Sequence, residues 1–290
     1  MKLKKILITG ASGQLGNSLK KKLKKNFIIY PFNKKKFDIT NKNLILQKID
    51  KINPDVLINC GAFTDVSLAQ TKKKEAYNVN SLGPLNLSKI CNKKNILFIH
   101  FSTDYVFFGN KKSKYNESNL AIPKSYYGFT KLKGEKFIKE NAKKYIILRV
   151  SWLYYENFDN FVTKIVKFYK SRKDLYVTRF EMGIPTYCDD VSDVISIILS
   201  NYFHNKLVYG IYHYTSKGKP ITRFTFANQI LKLLKNKYKQ NFSLYSNRNN
   251  LNSIRPNNSA LEAQKIRKSL NIKLPNWKIS LEKMISKHKI

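Results

Sequence analysis

A doubly wound α/β fold built on a parallel sheet is predicted by three features of this 290-residue sequence. Apolar runs of strand length alternate with longer amphipathic stretches through the first half. The runs are continuous in Ile, Leu, Val and Phe, as strands covered on both faces require. A glycine-spaced turn follows directly on the first run. A hydrophobic content of 42% is enough for a substantial core and excludes a disordered chain.

In chain order, strands are expected at KILIT (5–9), FIIYPF (27–32), DVLIN (55–59), ILFIHFS (96–102) and YIILRVSW (145–152), with helix-like segments as crossovers. The rhythm holds to about Trp152. Beyond it come a helical stretch from Asn160 to Tyr169, the Pro-bearing segment EMGIPTYCDD, and a second helix from Val191 to Asn201. The strand-like GIYHYTS is able to rejoin the sheet. A helix from Phe224 to Lys235, an Asn-rich stretch around Ser246 to Ser253 and an amphipathic segment after Trp277 complete the chain. Residues 1–152 are therefore expected to form the sheet domain. Residues 153–290 are expected to form mainly a smaller, substrate-facing lobe, with about 188–215 returning to the sheet.

The formal charge of +37 suggests a nucleic-acid or membrane binder, but the basic residues are 48 Lys and only 7 Arg, scattered among 31 Asn. Base-reading surfaces rely on the Arg fork, and a Lys, Asn, Ile, Phe and Tyr excess is what a genome poor in G and C would encode. No dedicated nucleic-acid partner is expected. The lysine runs 20–25 and 72–74 read as solvated helix faces. Cys60, Cys91 and Cys188 lie far apart, with no metal-binding spacing to any His, so reduced thiols and no metal are expected. The Lys-then-apolar start breaks off after Ile8 without a cleavage-like site, and no apolar run reaches membrane-spanning length. A soluble, cytoplasmic protein without a membrane partner is the expectation.

In TGASGQLG, Gly10, Gly13 and Gly16 fall at three-residue spacing before an amphipathic helix expected from Asn17 to Lys24. One glycine serves the turn, one admits a pyrophosphate close to the backbone, and one lets helix pack on strand while the helix N-terminus faces negative charge. In this strand–turn–helix setting the motif predicts a Rossmann-like NAD(P)-binding domain. The second strand runs into Asn33 and Lys34–Lys36, and no acidic residue occurs before Asp38. The cations Lys34–Lys36 that follow Asn33 favour a 2′-phosphate, so Asn33 and Lys34 are placed against the cofactor, and Asp38 is placed nearer the adenine. The expected cofactor is NADPH, with NADH use left open.

Tyr127 and Lys131 stand at i and i+4 in SYYGFTKLKGEK, on one face of a helix. Reduction of a carbonyl needs a proton donor, and an ammonium nearby would favour the phenolate. Tyr126 lacks that partner. The strand ILFIHFS ends at Ser102-Thr103-Asp104, where ligands sit in open parallel sheets, so Thr103 can reach the same carbonyl oxygen.

These residues bring a family into view. The chain resembles the extended short-chain dehydrogenases/reductases and, within them, the dTDP-4-dehydrorhamnose reductase family. The resemblance spans nearly the whole length: ILITGASGQLG, Asp38-Ile39-Thr40, PDVLIN followed by Thr64, VNSLGPLNL, STDYVF, YGFTKLKGE, RVSWLY, Asn160-Phe161, GIPTY, Arg255-Pro256 and Pro275-Asn276-Trp277. It implies a Thr103, Tyr127 and Lys131 catalytic set, with Tyr127 and Lys131 also against the cofactor. It adds Gln14, Leu15, Ile39, Gly61 and Ala62 to the cofactor site, and implies a substrate pocket from Thr64, Val66, Asp104, Tyr105, Trp152 and Arg255. Two segments depart from the family pattern: Val66 to Gln70 stands where a Val-Asp-Lys-Ala-Glu run is usual, and Phe180-Glu181 stands for Asp-Gln. The glutamate that some members use in metal-linked dimers corresponds to Ser18, so no metal is expected; a homodimer remains compatible.

The expected function is NADPH-dependent reduction of the C4 ketone of a dTDP-4-dehydro-6-deoxyhexose, giving dTDP-L-rhamnose. The alternatives are another sugar-nucleotide reductase, epimerase or dehydratase of the superfamily, with Asp104 as the acid a dehydratase would need, or a non-catalytic NADP-binding regulatory subunit.

Overall fold

Six parallel strands make the central sheet of the computed structural model, which describes residues 3–171, 175–238, 244–247 and 254–287. They are β1 (Lys5–Thr9), β2 (Ile28–Phe32), β3 (Val56–Asn59), β4 (Leu97–Thr103), β5 (Tyr145–Val150) and β6 (Gly210–Tyr214), in the order β2-β1-β3-β4-β5-β6. The order reverses between β1 and β3, which opens a crevice at their carboxyl ends. The strand read at GIYHYTS does rejoin the sheet, pairing parallel with β5 at its edge.

Period-2 alternation sorts the strand residues between two cores. Ile6, Ile8, Val56, Ile58, Leu97 and Ile99 face a cluster with Leu15 and Leu19 of α1 (Gln14–Leu23); Leu7, Leu57, Phe98 and Ile147 face the other side. There they meet Ile45 and Ile49 of α2 (Lys42–Ile52), Leu87 and Ile90 of α3 (Gly83–Lys93), and Ile138 of α4 (Tyr126–Asn141). The continuous apolar strands are thus covered on both faces. Asn41 caps α2 by accepting from the Leu44 N–H, and Ser125 caps α4 by accepting from the Gly128 N–H.

A π-helical turn, Asn78–Leu82, precedes α3. It places the buried Asn80 amide where it bonds both backbone groups of Phe63, with Nδ2 also donating to Thr130 Oγ1 on α4. One side chain thereby fixes the loop after β3 to the helix that carries Tyr127 and Lys131.

The second lobe holds α5 (Phe161–Ser171), α7 (Arg223–Tyr238), α8 (Gln264–Leu270) and α9 (Trp277–Lys287), with short strand pairs. Between α5 and α7 in sequence, α6 (Cys188–Phe203) packs back on α1. Phe226 is the lobe's hub, with ring centroids 5.6 Å from Phe161 and 5.8 Å from both Tyr154 and Trp277. Leu244–Asn247 pairs with Leu175–Thr178; the rest of the Asn-rich stretch, 248–253, lies outside the described residues. Helices begin earlier than their apolar periodicity suggests: α1 starts at Gln14, straight out of the glycine turn, and α6 at Cys188, directly after the Thr186–Tyr187 strand. No helix among the described residues is long and apolar enough to cross a membrane.

Arg149 of β5 and Glu135 of α4 form a buried bidentate pair, Nε to Oε1 at 2.9 Å and Nη2 to Oε2 at 2.6 Å, and Ser102 donates to the same carboxylate at 2.5 Å. Removing one member leaves the other charge without compensation, whereas an apolar pair of similar volume can be neutral. Arg149→Leu is expected to lose about 3–5 kcal/mol in urea denaturation, and adding Glu135→Leu to recover most of it.

Candidate active site

A cleft of about 880 Å³ runs across the carboxyl ends of the strands and against the second lobe. The glycine loop forms one end. Gly10 sits at φ 62°, and a Cβ there would lie 2.6 Å from the backbone of Cys60 and Gly61. At Gly16 a Cβ would lie 2.5 Å from the Gly10 carbonyl oxygen, so the close packing of loop on helix depends on its absence. Gly13, the N-cap of α1, has only the Gly10 oxygen at 3.4 Å, so its bare backbone is open to the cleft. No carboxylate occurs in the first turn of α1, and its amide end lines the cleft with Gln14 and Leu15. These features suit a pyrophosphate. Gln14 Nε2 reaches Leu153 O at 3.4 Å, while its buried Oε1 has no partner among the described residues.

Of the residues expected to hold the adenosine end, Lys34, Asp38 and Ile39 line the cleft, as do Gly61 and Ala62. Asp38 accepts from Thr40 N and Oγ1, so its carboxylate shapes its own turn. Asn33 does not line the cleft: it is exposed, and its amide oxygen accepts from Lys36 N at 3.1 Å to close the turn after β2. A second groove of about 450 Å³ continues past Lys34 and Asp38, lined by Lys72, Lys73 and Lys74.

Thr103, Tyr127 and Lys131 meet at the centre of the cleft. Thr103 ends β4 and Tyr127 lies in the first turn of α4; the Thr103 hydroxyl donates to Asp104 Oδ1 at 3.0 Å. Burial pushes the Tyr127 phenol above its ordinary range; the neighbouring Thr103 hydroxyl opposes this, and Asp104 and Tyr105 add to it. Lys131 is buried and donates to the Phe101 carbonyl at 2.6 Å, with its nitrogen 3.1 Å from His100 Nε2. Burial lowers it to about 8, against the pull of Glu135 and Cys60. The expectation that an ammonium at Lys131 brings the phenol down finds no support here: the Lys131 nitrogen is turned to β4 and is not among the groups acting on the phenol. Tyr126 faces away, packed on Phe129 with Lys73 over its ring.

The substrate-side expectations divide. Thr64, Val66, Tyr105 and Trp152 line the cleft, and the Tyr105 ring stands edge-on to Tyr127 at 6.0 Å. Trp152 has the left-handed φ of 46°, rare for a bulky residue, and its indole fills the space above Gly183, where a Cβ would fall 2.5 Å from Cε2. Asp104 lines the cleft, but its carboxylate is committed to Thr103 at 3.0 Å and to Ser259 at 2.5 Å. It ties β4 to the second lobe and is not a free acid. Arg255 lies outside the lining, 3.6 Å from Glu181.

Sequence reasoning missed Arg223. Its guanidinium stacks on Trp152 at 3.6 Å, faces Glu181 at 3.6 Å and lines the cleft 120 residues in sequence from Thr103. It also missed Asn59 and His100, read as strand interior and as a lone histidine; no spacing signal points to them.

The family model described as the RmlD substrate binding domain matches residues 4–290. The chain belongs to that family. A dTDP-4-dehydrorhamnose reductase from Aggregatibacter actinomycetemcomitans is 36% identical over 288 residues, 96% of this chain and 97% of that one. The crystal structure of dTDP-4-dehydrorhamnose reductase from Bacillus anthracis in complex with NADP has a TM-score of 0.89 at 31% identity, covering 99% of both chains. That of the Clostridium acetobutylicum orthologue has 0.88 at 33%, over 97% of this chain and 98% of that one. The Rossmann-like fold and the resemblance read from STDYVF, YGFTKLKGE and RVSWLY hold across the family member as a whole.

Burial raises the Asp104 carboxyl from 3.8 to about 6. The folded state then binds this proton more tightly than the unfolded chain, so stability falls as pH rises through that interval, by about 3 kcal/mol in total. Asp104→Asn cannot ionise. Relative to wild type it is expected to gain up to about 3 kcal/mol between about pH 4 and about pH 7 in urea denaturation; a difference independent of pH would contradict this.

Proposed function

We propose that this member of the family works as an NADPH-dependent reductase of dTDP-4-dehydro-L-rhamnose, returning the C4 ketone to an alcohol and releasing dTDP-L-rhamnose. The observation behind this reading is that Thr103, Tyr127 and Lys131 line the same cleft as the open glycine turn. When bound, NADPH supplies the hydride.

The chain's own residues supply the rest. Gly10, Gly13 and Gly16 with the N-terminus of α1 hold the pyrophosphate. Lys34, beside the groove of Lys72 to Lys74, meets the 2′-phosphate, which supports NADPH over NADH. Asp38, Ile39, Gly61 and Ala62 flank the adenosine and Lys131 the nicotinamide ribose. The Tyr127 phenol passes its proton to the C4 oxygen, and the Thr103 hydroxyl turns from Asp104, which keeps its bond from Ser259, to donate a hydrogen bond to the same oxygen, as an oxyanion is best met. Thr64, Val66, Tyr105 and the Arg223-backed Trp152 form the wall for the sugar, and Arg223 provides the cationic side facing the diphosphate. In this division of labour residues 1–152 with β6 bind cofactor, and most of 153–290 binds substrate. The engaged carboxylate of Asp104 favours reduction over a dehydratase reading.

Tyr127→Phe removes only the acidic hydroxyl. It is expected to lower kcat by about 10²–10⁴-fold with NADPH affinity within a few-fold of wild type, whereas Tyr126→Phe stays close to wild type in both. Steady-state kinetics with dTDP-4-dehydro-L-rhamnose and fluorescence titration of NADPH read the two effects; unchanged turnover in Tyr127→Phe would exclude the phenol as donor.

A further inference from the structure

Thr9, Asn59 and His100 stand opposite one another in register on β1, β3 and β4. By the alternation of those strands they share a face with Leu7, Leu57 and Phe98, the face that α4 covers. All three are buried, and they form a continuous row of hydrogen bonds that ends on Lys131.

The direction of the row follows from one backbone group. The Gly61 N–H can only donate, and it meets Asn59 Oδ1 at 3.0 Å; the Thr9 hydroxyl meets the same oxygen at 2.6 Å. The amide is thereby oriented, and its Nδ2 donates to His100 Nδ1 at 3.0 Å. A ring nitrogen that accepts carries no proton, so the neutral imidazole carries its proton on Nε2, 3.1 Å from the Lys131 nitrogen. Two donors facing each other at that distance make no bond. The contact is a hydrogen bond only when the lysine offers a lone pair.

We infer that His100 is a positioning residue for the reduction: Asn59 holds it as the Nε2–H tautomer, and this N–H steadies Lys131 as the amine it becomes each time it gives up a proton. The inference rests on the reductase reading above. In the step it serves, the Tyr127 O–H bond breaks to protonate the sugar oxygen. A Lys131 ammonium, one turn of α4 along, then returns a proton to the phenolate through a bridging hydroxyl or water, so one N–H bond breaks and the nitrogen lone pair takes up the His100 hydrogen bond. His100 keeps its own proton throughout, and Lys131 recovers one from solvent.

The other groups facing the Lys131 nitrogen are the Phe101 carbonyl from β4, the Cys60 thiol after β3, and Glu135 from its own helix, already paired with Arg149 and Ser102. Burial and the charge of Lys131 hold His100 well below the usual histidine range, so it stays neutral.

Two measurements test this. In ¹⁵N-resolved spectra of the histidine rings, wild type is expected to show His100 protonated on Nε2 and bare on Nδ1. Asn59→Asp, whose carboxylate can only accept, is expected to reverse the two. In the pH profile of kcat/KM with NADPH and dTDP-4-dehydro-L-rhamnose, His100→Phe is expected to move the alkaline limb upward by about one unit, a tenfold change in the protonation equilibrium. A proton on Nδ1 in wild type, or an unmoved limb in a folded His100→Phe, overturns the inference. Absence of turnover in wild type would instead overturn the reductase reading, and the tautomer spectra would still decide the role of His100.

Discussion

Register across the four central strands is the constraint on which the rest depends. Because β1, β3, β4 and β5 run parallel and pair residue for residue, Thr9, Asn59 and His100 stand side by side, and three residues further along Thr103 stands opposite Val150. A slip of one residue would turn each of these side chains to the opposite face. The apolar neighbours forbid it: Ile6, Ile8, Ile58 and Ile99 belong to one core and Leu7, Leu57 and Phe98 to the other. Hydrophobic burial therefore sets the position of the polar groups that do the chemistry.

From that level edge two loops and one helix converge. The glycine turn leaves β1 and lies against the backbone of Cys60 and Gly61. Asn80 clamps the loop after β3 to α4, and a Cβ at Gly134 of that helix would fall 2.3 Å from the Asn80 carbonyl oxygen. Asp104 and Ser259 bind the end of β4 to the second lobe. Each tie leaves one side of the cleft free for ligand, with the amide end of α1 at the cofactor side and Arg223 at the other. The net charge of +37, with Lys34, Lys72, Lys73, Lys74 and Arg223 along the cleft and its adjoining groove, favours the approach of anionic cofactor and sugar diphosphate, an effect that salt screens.

Local pattern made much of this legible in the sequence. Continuous Ile, Leu, Val and Phe runs identified five of the six parallel strands and GIYHYTS the sixth; TGASGQLG identified the phosphate turn because each glycine answers a local steric need. The i, i+4 pair of Tyr127 and Lys131 was readable for the same reason. What escaped depends on lateral neighbours, which no spacing encodes. His100 and Asn59 are 41 residues apart and become partners only through strand pairing. Arg223 reaches the site from the second lobe to stack on Trp152. Asn33 and Arg255 were placed at the cofactor and the substrate by sequence, yet Asn33 closes a turn and Arg255 faces Glu181. The burial of Lys131 and its bond to the Phe101 carbonyl escaped too, because they arise from the way α4 lies on the sheet.

The central claim is that these groups together reduce a sugar-nucleotide ketone. Its most direct test is to incubate the purified protein with dTDP-4-dehydro-L-rhamnose and NADPH deuterated at the transferring position, and to identify the product by NMR. The account predicts dTDP-L-rhamnose bearing deuterium at C4 and a matching loss of NADPH absorbance. Recovery of the unreduced ketone with NADPH bound, or a product altered elsewhere than C4, would contradict it.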